Sequence, residues 1–315
     1  MELYFLGTGA GAPAKGRNVS ALALRFDQGR AVWLFDAGEG TQRQLLESPF
    51  SAAQIEHIWI THMHGDHIFG LPGLLASRSL QSREAGPLTV TGPRGLRAYI
   101  DACLRSSGTR LGFALTVREL DVEDGAEPRA IHEDDAVTVS CLPLRHGIVS
   151  FGFAVCEKPR PGRFRVEAAR ALGVPEGPLF GRLKRGEPVT LADGRVVSGA
   201  DLSEPPRQGR KLAVLGDTAP CEAAVRLAER ACAVVHEATF AGAEANLARA
   251  RLHCTAADAA RTAAAAGAEA LLLTHISPRY PEGSPALDGL RREAQAIFPG
   301  AILARDHLSY SLPHP

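Results

Sequence analysis

The sequence predicts an α/β fold of sheets covered by helices, and three observations carry that expectation. Short apolar runs of strand character alternate with amphipathic stretches of helical spacing along most of the chain. The 315 residues fit one large domain, or one domain with an insertion, because a single core stops growing near ~250–300 residues. Between residues 157 and 207 the pattern gives way to prolines, glycines and charges and then resumes, the composition of an excursion with short local elements at most.

In order, Leu3–Leu6, Ala21–Phe26, Val32–Asp36, Ile58–Thr61, Leu88–Val90 and Val137–Pro143 read as strands, apolar runs bounded by turn signals. Gln42–Glu47, Leu71–Gln81 and Leu96–Leu104 carry helical spacing. Beyond the excursion, Lys211–Leu215, Val234–Val235, Ala270–Thr274 and Ala301–Arg305 read as strands, and the Ala-rich Ala256–Ala266 and Leu287–Phe298 as helices. No repeat of solenoid type is visible. Trp33 and Trp59 fall within strand runs and are expected in the core; His57, His132, His307 and His314 have no partners in a ligand pattern and read as surface or satisfied core.

Composition narrows the class. No long uncharged apolar run exists to span a bilayer, and the start, MELYFLGTGAGAP, lacks the basic and apolar parts of a secretory signal. The six cysteines (103, 141, 156, 221, 232 and 254) have no C-x-x-C or framework spacing, as in a reduced, cytoplasmic protein. With 35 basic and 35 acidic residues the formal charge is zero, which argues weakly against a nucleic-acid partner. The charge is uneven, however. Residues 157–195 hold nine basic side chains (158, 160, 163, 165, 170, 182, 184, 185, 195) against five acids (157, 167, 176, 187, 193), an excess of four that suits either a solvated surface or an anion-binding one.

The strongest local signal is THMHGDH, Thr61 to His67, at a strand end. His62 and His64 lie two apart and in extended chain point the same way, so both can reach one ion. Gly65 permits a sharp reversal that can aim Asp66 and His67 at a second position. Imidazole and carboxylate suit zinc or other first-row divalent ions. Further candidates end apolar runs elsewhere: His146 in LRHGIVSFGF, Asp217 in LGDT and His275 in LTHISPRY. Such positions are where α/β folds keep their chemistry.

H-x-H-x-D-H with a later His, Asp and His resembles the metallo-β-lactamase superfamily. The resemblance implies two β-sheets packed face to face with helices outside, and two Zn2+ per subunit at one edge, Mn2+ or another divalent ion being an alternative. It places His62, His64 and His146 on one ion and Asp66, His67 and His275 on the other, with Asp217 bridging. The same run occurs in hydrolases of thioesters, lactams and sulfate esters, so it specifies the metals better than the substrate.

Four segments narrow the substrate. PAKGRN, Pro13–Asn18, resembles the P-x-K-x-R-N loop of the ribonuclease Z family, which implies that Lys15, Arg17 and Asn18 meet the RNA acceptor end; a plain solvent loop is the alternative. PEGPLFGRLKRGEPV resembles that family's flexible, protruding arm, which clamps the tRNA body; Gly177, Pro178, Gly181, Lys184, Arg185 and Gly186 carry the match. HEATF, from His236, and HCTAADAA, from His253, resemble two further family motifs, with Cys254 where the serine of H-S-T usually stands. A packing or backbone role at 254 survives that change and a hydroxyl role does not. Thr255 is also a plausible N-cap, so His253 can be read as purely structural.

The resemblance covers essentially the whole chain: one metallo-β-lactamase domain over 1–315, with a tRNA-binding arm inserted at 157–200. It implies a zinc-dependent, cytoplasmic endoribonuclease, a homodimer acting on precursor tRNA. The cut falls after the discriminator nucleotide, leaving a tRNA 3′-hydroxyl and a trailer 5′-phosphate. Asp66 is expected as general base and His253 as stabiliser of the charged state or donor to the leaving O3′, with His236 or Glu237 in support. Two rivals remain at this level. A small-molecule hydrolase of the same fold would need no basic excursion, and a catalytically silent RNA-binding protein would have lost ligands.

Overall fold

The computed structural model describes residues 1–27, 29, 31–81, 85–121, 127–159 and 162–313; Arg160 of the basic run and His314 lie outside them. By internal contacts the chain divides into two compact units, one of residues 1–156 with 210–313 and one of residues 157–209.

The strands of the larger unit are β1 Glu2–Gly7, β2 Ala21–Arg25, β3 Val32–Phe35, β4 Ile55–Trp59, β5 Leu88–Pro93, β6 Leu115–Leu120, β7 Arg129–Glu133, β8 Val137–Leu144 and β9 Ser150–Glu157. After β10 Val189–Thr190 and β11 Val196–Val197, which belong to the smaller unit, come β12 Lys211–Val214, β13 Ala233–Glu237, β14 Leu271–Thr274, β15 Ala301–Leu303 and β16 Ser309–Ser311. They form two seven-stranded mixed sheets, ordered β16-β1-β2-β3-β4-β5-β6 and β15-β14-β13-β12-β9-β8-β7. The pairs from β3 to β6 and from β12 to β15 are parallel, which leaves strand ends and their following loops side by side.

Period-two alternation builds three layers of core from these strands. Along β1, Leu3 and Phe5 join Trp33, Trp59, Phe151 and Phe153 between the sheets, while Leu6 faces the other way. There it meets Leu74 and Leu75 of α3 (Leu71–Gln81) and Leu96 and Ile100 of α4 (Leu96–Ser107), which follow α1 (Thr41–Leu46) and α2 (Gly65–Ile68). On the outer face of the second sheet, Leu271 and Leu273 pack under three helices. These are α7 (Glu222–Ala228), α9 (Ala256–Ala265) and α10 (Pro285–Gln295); α5 (Val166–Ala171) and α6 (Pro178–Lys184) lie in the smaller unit, and α8 is Ala245–Arg251. Buried Ala259, Ala260 and Ala263 let α9 approach the sheet closely, which explains its alanine content. Thr255 caps α9 in a reciprocal box with Asp258.

The expected two-sheet sandwich is therefore present, with several boundaries moved. β4 starts three residues before the expected Ile58 and ends at Trp59, so the histidine run begins beyond regular pairing. β6, β7, β9, β16, α7 and α8 were not expected. β9 is buried along almost its whole length and has no alternation to mark it.

The smaller unit has its own apolar cluster, including Phe164, Val174, Leu183, Val189 and Leu202. Its elements are short, and β10 and β11 form a two-residue ladder.

His57 stacks on Trp59 (5.5 Å between centroids) and lies 4.8 Å from His132. Burial and the charges of His132 and Arg118 depress its pKa to about 4. The unfolded chain, titrating near 6.5, takes up this proton first, so stability is complete above pH ~6.5 and falls as pH drops towards 4. His57→Phe should remove roughly 1–2 kcal/mol of that acid sensitivity, after discounting for solvent screening. Parallel melting curves for both proteins at every pH would show that His57 is not the group responsible.

Candidate metal centre

Five segments carry the seven candidate ligands to one end of the sheets. His62 and His64 follow β4 in extended chain, and their rings meet with 3.0 Å between His62 Nε2 and His64 Nδ1, as the i, i+2 spacing requires. Helix α2 then turns Asp66 and His67 towards a neighbouring point. Gly65 serves differently from the expectation. Its φ is not positive, so no left-handed reversal is made there; a Cβ would meet the exposed Phe69 ring, which would have to move aside. His146 follows β8, Asp217 follows β12 and His275 follows β14. At Gly216 a Cβ would meet Ser150 Oγ and Thr61 at 2.8 Å, so only glycine lets Asp217 approach the histidine run.

Among the described residues the donor atoms converge in three overlapping groups: His62, His64, His146 and Asp217; Asp66, His67 and His275; and Asp217, His253 and His275. His64 Nδ1 is 3.2 Å from His146 Nε2. His275 Nε2 lies 3.3 Å from His67 Nε2, 3.2 Å from Asp66 Oδ2 and 3.3 Å from Asp217 Oδ2. Asp217 Oδ2 is also 3.6 Å from the Nε2 atoms of both His62 and His67, between the groups.

Four tautomers are set by the opposite ring nitrogen. His62 Nδ1 lies 3.0 Å from Thr61 Oγ1, which itself donates to Asp36, so the imidazole is the donor. His67 Nδ1 donates to Asp36 Oδ2 (2.7 Å) and His146 Nδ1 to the Leu252 carbonyl (2.9 Å). His275 Nδ1 donates to Thr239 Oγ1 (2.9 Å), whose proton goes to Glu237. In its neutral form each ring thus turns an Nε2 lone pair into the cluster, where nitrogens about 3 Å apart repel unless a proton or a cation lies between them. Tetrahedral bonds of ~2.0–2.2 Å separate ligand atoms by roughly 3.3–3.6 Å, so these residues fit a divalent ion.

Charge agrees. Burial opposes ionisation of Asp66 and Asp217, but the surrounding imidazoles outweigh it and hold both carboxyls well below the usual range. Burial and like-charged neighbours push His62 and His64 down, keeping them neutral. His67, by contrast, is pushed up. Burial opposes this, yet Asp217 and Asp36 draw a proton to it, supplying the positive charge a cation would otherwise bring.

Beside the cluster, Glu237 Oε1 accepts from Thr218 N (3.0 Å) and from His253 Nδ1 (2.8 Å). Burial lowers the His253 pKa, but the Glu237 hydrogen bond and the Glu237 and Asp217 charges lift it to about 9. His253 Nδ1 is 3.9 Å from Asp217 and already committed to Glu237, which sets this ring apart from the ligands. Cys254 is fully buried and its carbonyl receives Phe240 N, a packing and backbone role that needs no hydroxyl.

His236 corrects an expectation. Along β13, Val235 faces the space between the sheets and Val234 the helices, so Glu237 turns to the cluster and His236 away from it. Its Nδ1 donates to the Glu237 carbonyl, and burial lowers its pKa. It touches no ligand in the described contacts.

Arg17 and Asn18 are corrections too. Arg17 is only 5% exposed and donates to Thr8 Oγ1 (2.7 Å), the Ala304 carbonyl (2.6 Å) and Glu282 (3.0 Å), so its charge faces inward rather than towards a phosphate. Asn18 spends its amide on the Glu39 carbonyl (2.8 Å). Lys15 is exposed. In the smaller unit, Gly177 (φ 123°) precedes Pro178 at the start of α6, which contains Gly181 and ends at Lys184, and Arg185 caps it. Many basic residues there are locally paired: Arg182 and Arg185 with Glu187, Arg170 with Glu167 and Glu176, Arg195 with Asp193. Such exposed pairs are weak in water and screened by salt.

Asp36, Thr61, Thr239 and the Leu252 carbonyl were missed. Asp36 had a signal, since it ends the apolar run VWLF as the other ligands end theirs. Its φ of 61° marks backbone held in an uncommon conformation, as do 56° at His275 and 55° at Leu252. A backbone acceptor such as Leu252 O leaves no trace in residue type.

The chain is similar to known proteins over essentially its whole length. Over 314 residues the chain is 51% identical to a ribonuclease Z of Cyanothece sp., covering 99% of this chain and 96% of that protein. It is 52% identical to a ribonuclease Z of Geobacillus kaustophilus over 99% of each. The crystal structure of the short form of human tRNase Z matches with a TM-score of 0.73 and 31% identity, covering 99% of this chain and 100% of that one. A metallo-β-lactamase fold protein from Bacillus subtilis matches at TM-score 0.65 and 17% identity over 98% of each, a likeness of fold alone. A family model described as anti-Pycsar protein Apyc1 matches residues 1–139, which include His62–His67 but stop short of His146, Asp217, His253 and His275.

Proposed function

We infer the reaction from kinship and geometry together: the chain belongs to the ribonuclease Z family and is a metal-dependent endoribonuclease that processes the 3′ ends of tRNA. The finer reading is a two-zinc site that cuts after the discriminator nucleotide, leaving a tRNA 3′-hydroxyl and a trailer 5′-phosphate. The observation that carries it is the convergence of His62, His64 and His146 beside Asp66, His67 and His275, with Asp217 Oδ2 3.3–3.6 Å from His62, His67 and His275. His62, His64 and His146 would hold one ion and Asp66, His67 and His275 the other.

When bound, such ions supply Lewis acidity at the phosphate and at the attacking water. The protein does the rest. Asp66, held ionised, accepts the proton of the water. His253, protonated and oriented by Glu237, faces the cluster and donates to the departing O3′. Asp36 and Thr239 orient His67 and His275. His253→Ala should lower kcat by ~10²–10⁴-fold with metal retained; full activity in that variant would remove His253 from proton transfer.

Binding of the substrate body is assigned to the arm, residues 157–200, and contact with the acceptor end to Lys15. The arm's basic side chains, including Lys184 and Arg185, support backbone contact without base readout. A homodimer, in which one subunit's arm holds the tRNA cut by its partner, and a cytoplasmic location complete the proposal. Six free cysteines and the absence, among the described residues, of any helix long and apolar enough to cross a membrane accord with it. The direct test incubates purified protein with 3′-extended precursor tRNA, with and without a chelator, and maps the cut. One chelator-sensitive cut after the discriminator is expected; cleavage elsewhere, or indifferent to the chelator, contradicts the reading.

A further inference from the structure

The loop between β1 and β2 contributes no ligand, yet it touches the metal centre. Gly11 N–H donates to Asp66 Oδ2 at 2.7 Å, the same oxygen that faces the Nε2 atoms of His275 (3.2 Å) and His67 (3.6 Å). Ala10 N donates to the Ile276 carbonyl (3.0 Å) and Ile276 N to the Thr8 carbonyl (2.8 Å). The loop thus also grips the peptide next to His275, whose φ of 56° needs outside support.

One side chain from distant sequence, Asp306, and one from the loop itself, Arg17, hold this loop. Asp306, in the turn after β15, accepts Thr8 Oγ1 (2.6 Å), Asn18 N (2.6 Å) and Gln44 Nε2 (3.0 Å), tying both ends of the loop to one carboxylate. Arg17 donates to the same Thr8 hydroxyl and to the Ala304 carbonyl, two residues before Asp306. Thr8 therefore accepts from Arg17 and donates to Asp306, a closed circuit beneath the loop.

We propose that Asp306, acting with Arg17 through Thr8, is a positioning residue for the metal centre. It sets where Gly11 N–H meets Asp66, and so how tightly Asp66, His67 and His275 hold their cation. The proposal rests on the reading that those three residues bind a metal. A ligand carboxylate that loses its outer hydrogen bond swings more freely, and such losses cost ~10–100-fold in metal affinity or activity.

The test titrates the metal-free, full-length protein with Zn2+ against a chromophoric chelator, for wild type, Asp306→Ala, Asp306→Asn and Thr8→Val, after circular dichroism confirms folding. Asparagine can direct its oxygen to Asn18 N–H and Gln44 and its amide to the Thr8 hydroxyl, so it should bind within about threefold of wild type. Asp306→Ala should weaken one of the two Zn2+ ions by ~10–100-fold and leave the other unchanged. Thr8→Val, nearly isosteric, should weaken the same ion less and decides the matter if the alanine variant does not fold. Wild-type affinity for both ions in folded Asp306→Ala and Thr8→Val, or equal weakening of both ions, overturns the proposal. Wild-type protein that takes up no Zn2+ overturns the metal reading beneath it instead.

Discussion

His64→Ala is expected to abolish hydrolysis of precursor tRNA and of the small diester bis(p-nitrophenyl) phosphate alike. Electrostatic clamping of a phosphoryl group by a bound cation is worth several kcal/mol. At 1.36 kcal/mol per decade that corresponds to roughly a thousandfold or more. His64 suits the experiment because it is exposed, whereas His62 is fully buried beside Thr61 and Asp217. Alanine at 62 would damage folding and chemistry together; at 64 it removes one donor facing His62 and His146 and leaves the core untouched. Melting of the metal-free variant should match wild type within a few degrees. Activity within tenfold of wild type on either substrate would show that His64 is not a ligand.

Removing the arm should separate binding from chemistry. The two ends of the smaller unit pair with each other: Phe164 bridges Ser203, Arg165 N donates to the Leu202 carbonyl (2.7 Å), and Glu204 N donates to the Arg163 carbonyl (2.9 Å). A two-residue turn can therefore join Arg163 to Glu204, and the cluster of Phe164, Val174 and Leu183 leaves with the deleted segment. The expected outcome is a KM for precursor tRNA raised ~10–100-fold, the equivalent of one or two lost charge-assisted hydrogen bonds. Turnover of bis(p-nitrophenyl) phosphate should change by less than about threefold, and the salt dependence of tRNA binding should flatten. Equal loss on both substrates would make the arm a structural element.

What could be read from sequence follows from periodicity. His62 and His64, two apart in extended chain, had to share a side, and Asp66 and His67 lay within the next turn. The layered α/β class followed from alternating apolar runs, and the core positions of Trp33 and Trp59 from their strands; both are buried between the sheets. His146, Asp217 and His275 stood out because each ends an apolar run; parallel pairing sets the ends of β12 and β14 on one side of the sheet, whereas His146 comes from β8, which pairs antiparallel with β7.

What only the tertiary structure decided is direction and partnership. His236 and Glu237 are adjacent in sequence and either was expected in support of His253, but strand alternation sends His236 under the helices and Glu237 to the cluster. Arg17 sits in a basic loop motif that resembles an RNA contact, yet acceptors at Thr8, Ala304 and Glu282 turn it inward. Asp36, Thr239 and the Leu252 carbonyl choose the ring nitrogen that each ligand offers, over separations of up to 106 residues. Local sequence records residue type and period, which determine the strands, the helices and the kind of chemistry. A hydrogen bond between remote segments depends on how finished sheets pack, and no local pattern encodes it.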